Sequence, residues 1–279
     1  MKVYVENGGV TIIRGSPAWR FAVERLILPF AEAIQRNESR SEDRVVKIEL
    51  RNVSESWRRT PFEGPSIAVE AAFDWRTFQV DDFSTNDIIL PPALAGAVAR
   101  RQAEFLAGRM CARQALSLSG CPIKDVGVHS DRSPIWPDGF VGSITHSGGL
   151  AGAVVAPASM YLGLGIDFEA LIPADQARDI KPAVLTKTDN AILRGRTGHS
   201  FEHHLTLVFS LKECLYKALY PRLGRLIDFH DIGLAGFGDG KARMRLNQTL
   251  TAELQEDMEF EASYSFSNGL IRTCVQIRR

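Results

Sequence analysis

The chain has little that would mark it by composition. Its 279 residues carry no net charge, since 33 lysines and arginines balance 33 aspartates and glutamates. That balance argues against a general nucleic-acid-binding surface and leaves room only for a local basic pocket. Cysteine is scarce: Cys111, Cys121, Cys214 and Cys274 are scattered, with no CxxC or other metal-ligand spacing. They read as small buried thiols of a reduced, cytoplasmic protein. No apolar run is long enough to span a bilayer. The most membrane-like stretch, LAGAVVAPASMYLGLGI (150–166), falls short of the ~20 residues needed and is broken by Pro157 and glycines, so it reads as two buried strands. The opening MKVYVENGG lacks the apolar core of a signal peptide. There is no GxSxG elbow, no HExxH, no fixed-period repeat and no low-complexity segment.

What is present is a core-forming pattern. A hydrophobic content of 45% can bury a full interior, and at about 150 residues per domain the length suggests two units or one bilobal unit. Residues 17–36 have helical apolar spacing, and NESRSED (37–43) is a polar loop. VVKIELRNV (45–53) and SIAVEAAF (66–73) read as strands, and a long helix is expected from Pro91–Pro92 to about Ser119, stopped by Gly120 and Pro122. FVGSITH, Ser147-Gly148-Gly149 and LAGAVVA form a hairpin with a glycine turn, and GLGIDFE (163–169) is a further strand. Mixed polar helices over about 173–196, an amphipathic helix FSLKECLYKAL (209–219) and a meander of strands from Leu226 complete the chain.

Four stretches hold groups that could do chemistry. In an extended GLGIDFE, Asp167 and Glu169 point to one side, about 7 Å apart, and repel by roughly 2–3 kcal/mol at an effective dielectric of about 20. Either the pair faces open water or something positive lies between them. In FSLKECLYKAL, Leu211, Cys214, Leu215, Ala218 and Leu219 make one buried stripe, Glu213 and Lys217 share the opposite side, and Lys212 flanks the stripe. A Glu–Lys pair four apart is ordinary on a solvated face. Brought up to Asp167 and Glu169, however, Glu213 would complete an oxygen-rich site suited to Mg²⁺. In ARRQAEFLAGRMCARQAL (99–116), Arg109 and Arg113 fall within the apolar arc and Arg101 lies at its edge, so they either snorkel, pair with internal acids or form an anion pocket. His146 sits where its strand enters the turn. A Ser/His/Asp hydrolase from Ser143, His146 and Asp167 is discounted, because Ser143 lies inside a strand and no elbow exists. HSFEHH (199–204) groups His199, Glu202, His203 and His204 but is a weak zinc pattern.

In order, RQAEFLAGRMCARQAL, DRSPIWPDGFVGSITHS, GLGIDFE and VFSLKECLYKALYP resemble the Sfp-type 4'-phosphopantetheinyl transferases, in the branch like enterobactin synthase component D. The resemblance covers about residues 75–279; residues 1–74 form an N-terminal extension of unassigned role, a helix and strands. The resemblance implies an α+β fold of two similar halves related by a pseudo-twofold, residues 75–160 and 161–279, with coenzyme A between them. It implies Mg²⁺-dependent transfer of phosphopantetheine from coenzyme A to a serine of an apo carrier protein, releasing adenosine 3',5'-bisphosphate. A nonribosomal peptide or siderophore assembly line is the implied client, with no nucleic acid and no membrane span. By the same resemblance Asp167, Glu169 and Glu213 are metal ligands, Asp167 also facing coenzyme A. Glu213 takes the serine proton either directly or through a metal-bound water, and Lys212 and Lys217 neutralise the pyrophosphate. Arg101 and Arg109 lie near the 3'-phosphate, Arg132 occupies a basic position, and Ser143, Thr145 and His146 contact coenzyme A phosphates. Phe168 is expected in the core and Arg113 in a structural role. A coenzyme A- or nucleotide-binding module without transfer, and a Mg²⁺-dependent phosphohydrolase, are the alternatives.

Overall fold

The computed structural model describes residues 3–6, 9–12, 49–52, 64–123, 125–267 and 269–279. The helix expected over 17–36 lies outside the described residues. The chain starts with an antiparallel hairpin, β1 (Val3–Glu6) and β2 (Gly9–Ile12). Its first sheet combines β3 (Glu49–Asn52), β4 (Ile67–Ala72), β7 (Phe140–Ser147) and β8 (Leu150–Pro157) in the order β3-β4-β8-β7. Two strands on the N-terminal side of residue 74 thus pair into the sheet of the following half. The β7–β8 turn is closed by Gly148 and Gly149, both left-handed at φ 59° and 82°. A two-residue turn with two positive φ values matches the twist of the strands, and glycine adopts it without steric cost. A two-stranded ribbon, β5 (Gly127–Val128) and β6 (Pro134–Ile135), precedes this hairpin.

Between β4 and β5 lie α1 (Asp82–Thr85) and the long α2 (Ala99–Leu118). The helix begins later than the proline pair suggested. Pro92–Leu94 form a separate 3₁₀ turn, and Val98 is extended at ψ 148° before α2 starts. Gln102 fastens the two together by donating to Leu94 O at 2.8 Å. Leu106, Ala107, Cys111, Ala112 and Leu116 pack against Val69, Ala71, Ala151 and Ala153 of the sheet.

The second half repeats this plan. β9 (Tyr161–Ala170) is followed by α3 (Ala174–Val184), α4 (Lys187–Leu193), α5 (Phe201–Leu223) and strands β10 (Ile232–Gly238), β11 (Lys241–Leu246), β12 (Glu259–Ser267) and β13 (Leu270–Arg278). Its antiparallel sheet runs β10-β11-β12-β13-β9, with α5 laid across it. α5 is longer than its apolar stripe indicated: Ser200 caps its start and Gly224, at φ 58°, ends it. The fold is α+β, a long helix over an antiparallel sheet in each half. Among the described residues no helix is long and apolar enough to cross a membrane.

β9 sets the relation between the halves because its two faces do different work. Leu164, Ile166 and Phe168 enter a core shared with Val154 and Ala156 of β8. Gly152 makes room there, since a Cβ on it would lie 2.6 Å from the Phe168 ring. A buried ion pair crosses the same seam, Arg272 Nε donating to Glu70 Oε1 at 2.8 Å. Along its free edge β9 runs beside β7. There the hydroxyls of Ser143, Thr145 and Ser147 accept from the backbone N–H of Ile166, Phe168 and Ala170 at 3.1, 3.1 and 3.3 Å. Alternating hydroxyls thereby satisfy an edge whose buried N–H groups would otherwise be unpaired.

The other face carries Gly163 and Gly165, and here α5 comes down on bare backbone. A Cβ on Gly163 would sit 2.0 Å from Ala218 O, and one on Gly165 only 1.9 Å from Cys214 O. Neither obstacle is a flexible side chain, so the helix itself must move. Gly165→Ala is therefore expected to lower unfolding free energy by about 3 kcal/mol, read by urea denaturation. Gly96→Ala, where nothing lies within 4 Å, should leave it unchanged.

Candidate active site

The period-two alternation of β9 places Asp167 and Glu169 on the face that carries Gly163 and Gly165, so the strand that admits α5 also presents two carboxylates to it. On α5, Ser210, Glu213 and Lys217 are spaced i, i+3, i+7 and share one side of the helix. Lys217 is the positive group that meets Asp167. Its Nζ donates to Asp167 Oδ1 at 2.5 Å and to Ile166 O at 3.3 Å. Asp167 is 3% exposed. Its Oδ1 also accepts from Thr145 Oγ1 at 3.3 Å, and its Oδ2 from Ser210 Oγ at 2.8 Å. Behind Ser210, Thr273 Oγ1 lies 2.9 Å from the serine oxygen and donates to Ser210 O at 3.1 Å. Ser210 and Thr273 were not anticipated, although the seven-residue step from Ser210 to Lys217 marks the serine for this face.

Glu169 and Glu213 stand in the same field. Burial, then the Asp167 and Glu213 charges, push Glu169 well above the usual carboxyl range, against the pull of Lys217. Glu213 is pushed up to about 7, chiefly by burial, with Asp167 adding and Lys217 opposing. Burial works to lower the Lys217 pKa, but Asp167 and Glu213 outweigh it and hold the ammonium above its ordinary value. Three acids face one cation here, and burial is the largest cause that holds protons on Glu169 and Glu213. Among the described residues no group of three or more His, Cys, Asp or Glu side chains is already gathered to hold a metal ion. The donor set is nonetheless all hard oxygen with excess negative charge, which fits a Mg²⁺ that keeps waters and takes phosphate oxygens as further ligands.

The first half faces this cluster with α2 and the end of β7. Arg101 Nη1 lies 2.7 Å from His146 Nε2, and Glu104 Oε2 lies 3.5 Å from His146 Nδ1. A guanidinium can only donate, so Nε2 is the acceptor and the imidazole proton sits on Nδ1, toward Glu104. Burial lowers the His146 pKa to about 4, helped by Arg101 and Lys217 against Glu104. Lys217 acts on His146, so the two groups stand near each other. Arg109 is 7% exposed, and its Nε and Nη1 have no hydrogen-bond partner among the described residues. Its guanidinium lies 4.8 Å over the Phe105 ring, and burial lowers its pKa to about 10, so it remains a cation at neutral pH. Arg113, as expected, is structural: it donates to Asn86 O, Asp87 O and Asp125. Arg132, at φ 72°, follows Asp131, whose carboxylate accepts from Tyr220 on α5.

Three expected site residues are corrected. Lys212 does not face the pyrophosphate position: it is 1% exposed and spends its ammonium on Val184 O, Asp189 Oδ2 and Phe229 O. Ser143 and Thr145, 4% and 3% exposed, hold β9 rather than offering hydroxyls to a ligand. His199, His203 and His204, the weak zinc pattern of the sequence, form a ring cluster with Phe237 and Phe266.

Comparison with known proteins agrees with this architecture. A family model described as the 4'-phosphopantetheinyl transferase N-terminal domain matches residues 90–156, and one described as the 4'-phosphopantetheinyl transferase superfamily matches residues 163–268. The chain is 34% identical to 4'-phosphopantetheinyl transferase Svp of Streptomyces mobaraensis over 188 residues, covering 66% of this chain and 75% of that protein. The chain belongs to the 4'-phosphopantetheinyl transferase superfamily. Its similarity extends to 4'-phosphopantetheinyl transferase PptT of Mycobacterium tuberculosis, 36% identical over 50% of this chain and 60% of the relative. Enterobactin synthase component D of Salmonella typhi is 34% identical over 52% of this chain and 61% of the relative. The two family models divide between β8 and β9, where the two sheets divide.

The partly buried, neutral His146 of this transferase has a sign-defined consequence. Its folded pKa lies below the ordinary value, so between about pH 6.5 and 4 the unfolded chain binds a proton the folded chain does not. The contribution is complete above pH 6.5 and lost as pH falls toward 4. His146→Gln should flatten that part of the stability–pH curve relative to wild type, measured by denaturation midpoints across the range.

Proposed function

We propose that this enzyme transfers 4'-phosphopantetheine from coenzyme A to a serine of an apo carrier protein, with Mg²⁺, in nonribosomal peptide or siderophore assembly in the cytoplasm. The observation that carries the reading is the convergence of Asp167, Glu169, Glu213 and Lys217 at one strand–helix contact, facing the arginines of α2. Arg109 supports the co-substrate. A buried guanidinium with two unpartnered donors is costly unless an anion meets it. The 3'-phosphate of coenzyme A is such an anion, and Arg101, partly exposed and oriented by His146, is a second donor toward it.

The serine oxygen attacks the phosphorus that bears pantetheine. A new serine–phosphate bond forms as the bond from that phosphorus to the bridging pyrophosphate oxygen breaks, and adenosine 3',5'-bisphosphate leaves with that oxygen. The serine proton passes to Glu213, which lies with Asp167 and Lys217 in the same cluster. Lys217, kept charged by Asp167 and Glu213, faces the negative charge that develops on the leaving side. Ser210 and Thr145 hold the Asp167 carboxylate in one orientation. Asp167, Glu169 and Glu213 would hold the Mg²⁺, which when bound neutralises the pyrophosphate and strengthens its phosphorus as an electrophile.

The test incubates an apo carrier with coenzyme A, Mg²⁺ and enzyme and weighs the carrier. A phosphopantetheine mass gain is expected; free bisphosphate with an unmodified carrier would mean hydrolysis, and no product would mean a binding module. Glu213→Gln should lower kcat by about 100-fold or more, the range of a general base. Arg109→Ala should raise the KM for coenzyme A about tenfold with kcat nearly kept, because the 3'-phosphate is remote from the breaking bond.

A further inference from the structure

Lys212 and Asp189 are sealed from solvent, at 1% and 0% exposure, and every polar group of the pair is used. The ammonium donates to Val184 O at the end of α3 at 2.7 Å, to Asp189 Oδ2 in the first turn of α4 at 2.7 Å, and to Phe229 O ahead of β10 at 3.0 Å. An ammonium has three N–H groups, so none is left for a phosphate. Asp189 in turn accepts from Thr186 N at 2.8 Å and from Leu234 N at 2.6 Å. One side chain of α5 is thereby tied to three other elements of the second half.

The tie bears on the reacting groups through the helix itself. Cys214 and Ala218 press their carbonyls onto Gly165 and Gly163 from the sheet side. Lys212 lies about 200° around the axis from Cys214, so α5 is gripped from nearly opposite sides and its roll is fixed. Glu213 is the next residue along. A roll of about 20° would carry a side-chain carboxylate by ~2 Å, and a misplacement of about 1 Å can cost about 100-fold in rate.

We propose that Lys212 is a positioning residue: braced by Asp189, it sets the rotation of α5 that aims Glu213 and Lys217, and it makes no contact with coenzyme A. The proposal rests on the transferase reading above. A lysine beside Glu213 is the obvious phosphate ligand by sequence, and the two roles differ in what they do to coenzyme A affinity.

Three proteins decide it: wild type, Lys212→Met, and the double variant Lys212→Met with Asp189→Asn, which removes the buried carboxylate that the single change strands. Coenzyme A affinity is measured by calorimetry, transfer to an apo carrier per folded molecule, and folding by thermal denaturation. The expected result is a kcat lowered about tenfold or more in Lys212→Met with the coenzyme A Kd within about twofold of wild type. The double variant, which lacks the same tie, should keep the lowered kcat with its coenzyme A Kd also within about twofold of wild type. A coenzyme A Kd raised about tenfold in both variants would make Lys212 a phosphate ligand and overturn the proposal. Unchanged kcat in the folded single variant would overturn it as well, leaving only a brace for stability. If the single variant does not fold, the Kd of the double variant decides between the two roles. A wild type that binds coenzyme A but transfers nothing would count against the transferase reading, while the Kd comparison would still report whether Lys212 touches the phosphates.

Discussion

The approach of α5 to β9 on bare glycine is the constraint from which the rest of the site follows. Carbonyls of Cys214 and Ala218 lie where side-chain carbons of residues 165 and 163 would be. At that separation, residues one step further along the strand and on the adjoining side of the helix are forced into each other's field. Asp167, Glu169, Glu213 and Lys217 meet because two backbones meet. Their altered proton affinities follow: burial raises Glu169 and Glu213, and mutual repulsion adds to it.

The same strand also joins the halves, and its alternation separates that task from the chemistry. Phe168 lies between the two acids in sequence yet points the other way, over Gly152, with Arg272 5.4 Å from its ring. Arg272 and Glu70 pair across the seam at low exposure. Breaking one partner of such a pair costs several kcal/mol by order of magnitude, so the seam resists sliding even though the pair adds little net stability. Thr145 belongs to both tasks, accepting from Phe168 N and donating to Asp167. A displacement between the halves would therefore disturb the Asp167 carboxylate directly.

Much of this was legible wherever a local period carried it. Strand alternation placed Asp167 and Glu169 together, and helical spacing placed Glu213 with Lys217. The glycine turn at Gly148–Gly149 and the buried stripe of α5 were equally plain. What escaped depended on partners distant in sequence. Lys212 sits at the edge of an apolar stripe, and nothing local reveals that Asp189, 23 residues earlier, waits for it. Ser143, Thr145 and Ser147 alternate visibly, but only the presence of β9 beside them shows that they replace a sheet ladder. The late start of α2 is a local matter instead: Pro92–Leu94 form their own 3₁₀ turn and Val98 is extended before the helix begins.

The central claim is that three carboxylates from two elements act as one cation site. Titration of Mn²⁺ into the enzyme with coenzyme A present, followed by water-proton relaxation, tests it most directly. The account predicts one site whose affinity falls about tenfold or more in Glu169→Gln and, separately, in Glu213→Gln. Unaltered Mn²⁺ affinity in either variant would contradict it.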